Sequence, residues 1–325
     1  MLLLSSLLVS CATRSTTLSV PVDARDDGLT AELVIDGPLP ARIRSGDEAD
    51  LIVMYGGEEQ GSLGPCGCPP RPRGGLARFM AYARTTADAN PDATTMIVNG
   101  GYWLQDAVGL DGQLAPTTPI KNAWMMVGQL TLGADALNVG YNDLIGLSSL
   151  PEGTDRSELP LVSLNLSGPD IQPHRVLRRG DLRVAITGIS TAGSVSVPLP
   201  DGFSTKPPVS ARAALETLRQ EVDLIILLAY HAPEAARDFA QDGLVDVVID
   251  THNHTQRSVP FRVGSALWVR SAHQSLRLGE LRMGLDDDGA VLWAMDRKID
   301  LDPTLPSDRT MMGVLRAAEV ELSGR

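Results

Sequence analysis

The run Val245-Asp246-Val247-Val248-Ile249-Asp250-Thr251-His252-Asn253-His254 constrains this chain more than any other stretch. Its β-branched core predicts a strand buried on both faces, and two imidazoles follow at its exit. Strands of that kind belong to parallel sheets covered by helices, which keep their ligands at the carboxyl ends of the strands. A second apolar run, Leu224-Ile225-Ile226-Leu227-Leu228-Ala229-Tyr230, ends in the same way on His231. The chain has 5 histidines, and His231, His252 and His254 fall at these two strand ends. Neutral imidazoles so placed can share one divalent, zinc-like ion. The alternative is that they are polar loop residues and no cofactor is held.

A length of 325 residues suits one large α/β domain or two small ones. Only 4% of residues are aromatic, so the core must rest on Leu, Val, Ile and Ala. The net charge of −12 argues against nucleic acid as a partner, because the chain has little positive field with which to displace counterions from phosphate.

Met1 to Ser10 is apolar and ends at Cys11, and it is too short to span a bilayer. Its last part, Leu8-Val9-Ser10-Cys11, resembles a bacterial lipobox. That resemblance implies lipidation of Cys11 and a lipid-anchored protein of the bacterial envelope, facing the periplasm or exterior. The membrane is then one partner, and no protein partner is indicated. The alternative is an unprocessed apolar N-terminus. Residues 12–48 are rich in Thr, Ser, Asp, Pro and Arg and read as a tether, with a strand at Thr30–Ile35. A folded domain is expected over 49–300, and a helical extension over 301–325.

Within that domain, strands are predicted at 50–55, 94–98, 136–139, 161–166, 223–229, 245–249, 267–269, 279–285 and 290–295. A hairpin is expected from 175–178 and 182–189. Helical spacing appears at 76–89, 119–131, 209–220, 233–241 and 310–322. The mixture of βα units and hairpins fits two packed mixed sheets flanked by helices better than one doubly wound sheet.

Several pieces in order resemble the calcineurin-like metallophosphoesterases, in particular the catalytic domain of periplasmic 5′-nucleotidases. They are Gly61-Ser62-Leu63, Gly74-Gly75-Leu76-Ala77-Arg78, Ile97-Val98-Asn99-Gly100-Gly101-Tyr102, Ala136 to Leu144, Ser163-Leu164-Asn165-Leu166, and the motif at His252 and His254. The resemblance runs from about Asp50 to Met295 and implies an α/β/β/α sandwich. It also implies two metal ions about 3.5–4 Å apart that polarise a phosphate ester and activate water. The chain departs from the family's ligands, however. Glu58-Glu59-Gln60 stands where Asp-x-His is expected, Tyr102 at the bridging Asp, and Tyr141-Asn142 at Asn-His. His231, His252 and His254 match, while Asp143, Asn99 and Glu58 are polar groups that can substitute in part.

Pro65-Cys66-Gly67-Cys68-Pro69-Pro70 resembles the Cys-Gly-Cys loop of a bacterial subgroup of the same family. Cys66 and Cys68 can close a disulfide, act as a redox pair, or give thiolates to a soft metal beside the histidines. His174 and His273 read as surface residues, and Asp286-Asp287-Asp288-Gly289 as a hairpin turn. No phosphate-binding loop and no nucleophile elbow is present. Three functional readings follow: a phosphoesterase descendant with weak, altered or lost hydrolysis; a single-metal or thiol-based binding or redox protein; and a structural or partner-binding pseudoenzyme.

Overall fold

The computed structural model describes residues 19–21, 30–35, 48–65, 72–106, 114–179, 182–191, 199–251, 260–286 and 289–324. Cys11, Cys66, Cys68, His252 and His254 lie outside them.

The strands are β1 (Ser19–Pro21), β2 (Thr30–Ile35), β3 (Leu51–Gly56), β4 (Thr94–Asn99), β5 (Ala136–Asn138), β6 (Leu161–Val162), β7 (Leu166–Ser167) and β8 (His174–Arg179). They continue as β9 (Leu182–Ser190), β10 (Ser204–Thr205), β11 (Leu224–Tyr230), β12 (Val247–Thr251), β13 (Phe261–Val263), β14 (Ala266–Arg270), β15 (Arg277–Leu285) and β16 (Val291–Asp300). The described helices are α1 (Leu76–Ala89), α2 (Thr118–Leu132), α3 (Tyr141–Ser148), α4 (Arg212–Leu218), α5 (Pro233–Gln241) and α6 (Arg309–Ser323).

Sheet one has the order β1-β2-β16-β15-β3-β4-β5-β6, and sheet two the order β13-β14-β12-β11-β9-β8. The runs Leu51–Gly56 and Leu224–Tyr230 are buried at every position because both faces of each strand are covered. Strands β3 to β6 run parallel, as do β9, β11, β12 and β14. Antiparallel hairpin partners close both flanks of sheet two, and the β15–β16 hairpin continues sheet one beyond β3.

Three apolar layers follow from strand alternation. Leu51, Val53, Met96 and Val98 of sheet one meet Val184, Ile226, Leu228 and Ile249 of sheet two between the sheets. Ile52, Met54 and Leu137 point the other way, onto Leu76, Phe79 and Met80 of α1, Met125 of α2, and Met311 and Leu315 of α6. Ile225, Leu227 and Val248 pack outward on Leu215 of α4 and Phe239 of α5. The result is the expected α/β/β/α sandwich. Among the described residues no helix is long and apolar enough to cross a membrane.

Several elements differ from the sequence reading. The stretch expected as one strand over 161–166 breaks into β6 and β7, because Ser163 Oγ accepts Leu166 N–H at 3.0 Å and turns the chain. Helix α3 begins where the sequence suggests only a motif segment. The strand expected at Thr30–Ile35 is present as β2, but it pairs with β16, and an unexpected β1 pairs with β2, so this part of the expected tether extends sheet one. The C-terminal helix α6 packs into the same core as α1 and α2.

Candidate functional site at the carboxyl edge

Both sheets bring the carboxyl ends of their parallel strands to one edge of the sandwich. Asn138, at the end of β5, ties the sheets together there. Its Nδ2 donates to Gly100 O at 2.9 Å, to Leu228 O at 3.2 Å and to Ile189 O at 3.4 Å. This approach needs glycine at 188, where a Cβ would stand 1.9 Å from Asn138 Oδ1.

Backbone strain concentrates at the same edge. Among described non-glycine residues, the left-handed ones are Glu58, Gln60, Tyr102, His231, Gln274, Ser275 and Asp170, and all but Asp170 lie here. Such conformations cost about 1–3 kcal/mol each and persist where surrounding contacts over-determine them. The contacts are visible. Glu58 N–H donates to Gly101 O, Gln60 N–H to Tyr102 O, and His231 N–H to Thr251 O at 3.4 Å. Ser275 Oγ donates to Glu59 Oε1 at 2.7 Å and lies 3.1 Å from Gly57 O.

Asp143 sits at the third position of α3, where a carboxylate complements the helix N-terminus. Its Oδ2 accepts Tyr102 N–H at 2.7 Å and Gly140 N–H at 2.8 Å, and its Oδ1 accepts Leu104 N–H at 2.8 Å. Burial pushes its pKa up to about 7, against the pull of those three amides. Glu59 is 1% exposed and is also raised by burial, with Asn99 and Ser275 opposing the rise.

A second network joins both sheets. Tyr102 Oη donates to Asp106 Oδ1 at 2.7 Å, and Asn142 Nδ2 donates to Asp106 Oδ2 at 2.5 Å. Tyr230 Oη donates to Asn142 Oδ1 at 3.1 Å. The rings of Tyr102 and Tyr230 stand 6.0 Å apart, and Tyr230 meets His231 edge-on at 4.9 Å. Burial raises both phenol pKa values, and the neighbouring Asp106, Asp143 and Glu58 raise them further, so both stay neutral donors.

No family model matches the chain, and no curated protein does. Solved structures do. The Thermus thermophilus sulfate thiohydrolase SoxB superposes with a TM-score of 0.68 at 16% identity, over 88% of this chain and 62% of that one. A 5′-nucleotidase precursor, also from Thermus thermophilus, gives 0.65 at 17%, over 84% and 59%. The NAD nucleotidase of Haemophilus influenzae gives 0.65 at 13%, over 83% and 60%.

The chain has the metallophosphoesterase fold. It spans about three fifths of the length of those structures. Proteins of this fold usually bind divalent metals, and the described donors at this edge do not fit a bridged pair. Asp143 has both oxygens turned to backbone amides, and Asn142 has both ends of its amide engaged. A phenol stands at 102. Among the described residues no three His, Cys, Asp or Glu side chains converge as a metal-holding group. Glu58 and His231 are both at the edge, with Glu58 buried and His231 half-buried. His174 is half-buried on the edge strand β8, two strands from β11.

Sequence reasoning missed Asp106 and Glu59. Asp106 belongs to no motif, and its partner Asn142 is distant in sequence. For Glu59 a signal exists in the acidic pair following a buried strand, but comparison with an expected Asp-x-His hides it.

Proposed function

We propose that this chain is a lipid-anchored bacterial envelope protein whose metallophosphoesterase-like domain has weak, altered or lost phosphoester hydrolysis. One observation carries the hydrolysis part of the reading. The polar groups at the bridging-ligand and Asn-His positions, Tyr102 and Asn142, bond to Asp106 and Tyr230 and not to a shared open point. Transition-state charge on a phosphoryl group then lacks the clamp that two metals supply. Loss of one preorganised electrostatic group costs roughly 10²–10³ in rate, and this edge lacks more than one. Purified protein assayed with manganese on nucleoside monophosphates and aryl phosphates should turn over at least about a thousandfold below a typical metallophosphoesterase. Robust turnover free of contaminating phosphatase would overturn the reading. Anchoring is tested separately: in a lipoprotein-processing host Cys11→Ala should release the protein from membranes or leave it unprocessed, and a variant that fractionates and migrates like wild type would overturn the anchor.

A second reading has one observation in its favour. The His231 N–H bond to Thr251 O sets His231 beside the residue that precedes His252. Single-ion binding by His231, His252 and His254, with Cys66 or Cys68 as a further ligand, predicts about one zinc-like ion per chain, lost in His252→Ala. Unchanged metal content in that variant would exclude it.

A further inference from the structure

We infer that Asp106 takes over the cross-linking that a bridging metal performs in this fold: its carboxylate gathers Tyr102 and, through Asn142, Tyr230. The inference rests on the reading that this edge holds no bridged metal pair. A bridging ion would draw side chains from several strand ends to one charge. Here one anion draws side-chain donors from the same places. Tyr102 follows β4 of sheet one, Asn142 lies in the first turn of α3 behind β5, and Tyr230 ends β11 of sheet two.

The bond directions are consistent along the whole chain. Tyr230 Oη donates to Asn142 Oδ1, Asn142 Nδ2 donates to Asp106 Oδ2, and Tyr102 Oη donates to Asp106 Oδ1. Every donor points toward the carboxylate, so its charge polarises the amide and both phenols in one sense. Each bond to Asp106 is charge-assisted and short, at 2.5 and 2.7 Å. The network also fixes Tyr102, whose backbone is left-handed at φ 60°. Asp106 is thus a positioning residue for this edge.

The test is a double-mutant cycle of Asp106→Asn and Tyr102→Phe, read by melting temperature with chelator and again with manganese or zinc. Each single variant should melt roughly 3–8 °C lower. The double variant should fall no further than Asp106→Asn alone, because the Tyr102 bond is one of the two that the change at Asp106 weakens. Metal should restore neither single variant. Additive losses, or no loss in Asp106→Asn, would overturn the cross-link and leave the hydrolysis reading standing. A metal-dependent rise in the wild type that vanishes in Asp106→Asn would also overturn it, by making Asp106 a ligand. Should Asp106→Asn fail to fold, Tyr230→Phe and Tyr102→Phe, each losing one hydroxyl, form a milder cycle with the same expectation: coupling supports the inference and additivity overturns it.

Discussion

Two tyrosine–aspartate pairs sit in this molecule under opposite conditions. In sheet one, Tyr55 Oη donates to Asp296 Oδ1 at 2.6 Å, and Lys298 bonds to both. All three are within regular strands and nearly inaccessible, at 0%, 1% and 5% exposure. Glycine at 279 makes room, since a Cβ there would stand 2.1 Å from Tyr55 Cζ. At the carboxyl edge, Tyr102 and Asp106 are half-buried, Tyr102 has a left-handed backbone, and the charges raising its pKa are all acidic. The first pair has its own cation and unstrained backbone, so it serves the fold. The second keeps a negative charge at a strained rim, and that is where a function built on this scaffold has to act.

The buried pair gives the largest expected effect. Lys298→Met leaves the Asp296 carboxylate without its cation between two sheets. Denaturant unfolding should show a loss of about 3–5 kcal/mol, with much of it recovered by adding Asp296→Leu. A loss under about 1 kcal/mol would break the contrast, because the buried triad would then be no more a part of the fold's stability than a surface pair.

The edge should show itself through pH. Asp143 is raised from 3.8 to about 7 by burial. A raised carboxyl favours the folded state while protonated in it, so its contribution is full below about pH 4 and is lost as pH rises through about 7. A rise of that size sets a ceiling of about 4 kcal/mol on the loss. Asp143→Asn should be less stable than wild type at pH 5, having fewer acceptors for three amides, yet show a flatter stability profile from pH 4 to 7. An unchanged slope would remove Asp143 as its source. Glu59→Gln, by the same sign, should gain on wild type at pH 8 and not at pH 4.

Smaller effects sharpen the contrast. Asn138→Ala frees three carbonyls across the two sheets and should cost about 1–3 kcal/mol in chemical denaturation. Arg84 pairs with Asp308 on the surface, with the arginine side chain 55% exposed. Arg84→Ala should cost at most about 1 kcal/mol. Asp308→Ala should cost somewhat more, because Asp308 also caps α6 through Thr310 N–H and Met311 N–H.

Much of the scaffold was legible in the sequence because its signals are local. Helices α1 and α5 have the bounds that apolar spacing predicts, and β3 and β11 are the apolar runs that open them. Helix α3 was not legible: it is short, and its N-cap is Gly140, with no side chain to announce it. Its capping carboxylate, Asp143, reads in sequence as a metal substitute. The strand expected at 245–249 lies two residues later, at Val247–Thr251, because Val245 is buried ahead of the first ladder pair, Ile226 with Val247. At the site, the departures from the family's ligands were readable one by one. What replaces them was not, because Tyr230, Asn142, Asp106 and Tyr102 meet only after both sheets have formed.

The most direct test of the account is the metal content of purified protein equilibrated with excess manganese or zinc and then freed of unbound ion. Fewer than two ions per chain are expected, with a number that does not change in Tyr102→Phe or Asp143→Asn. Two ions per chain, with one lost in Asp143→Asn, would contradict it, since Asp143 would then be a ligand rather than the cap of α3.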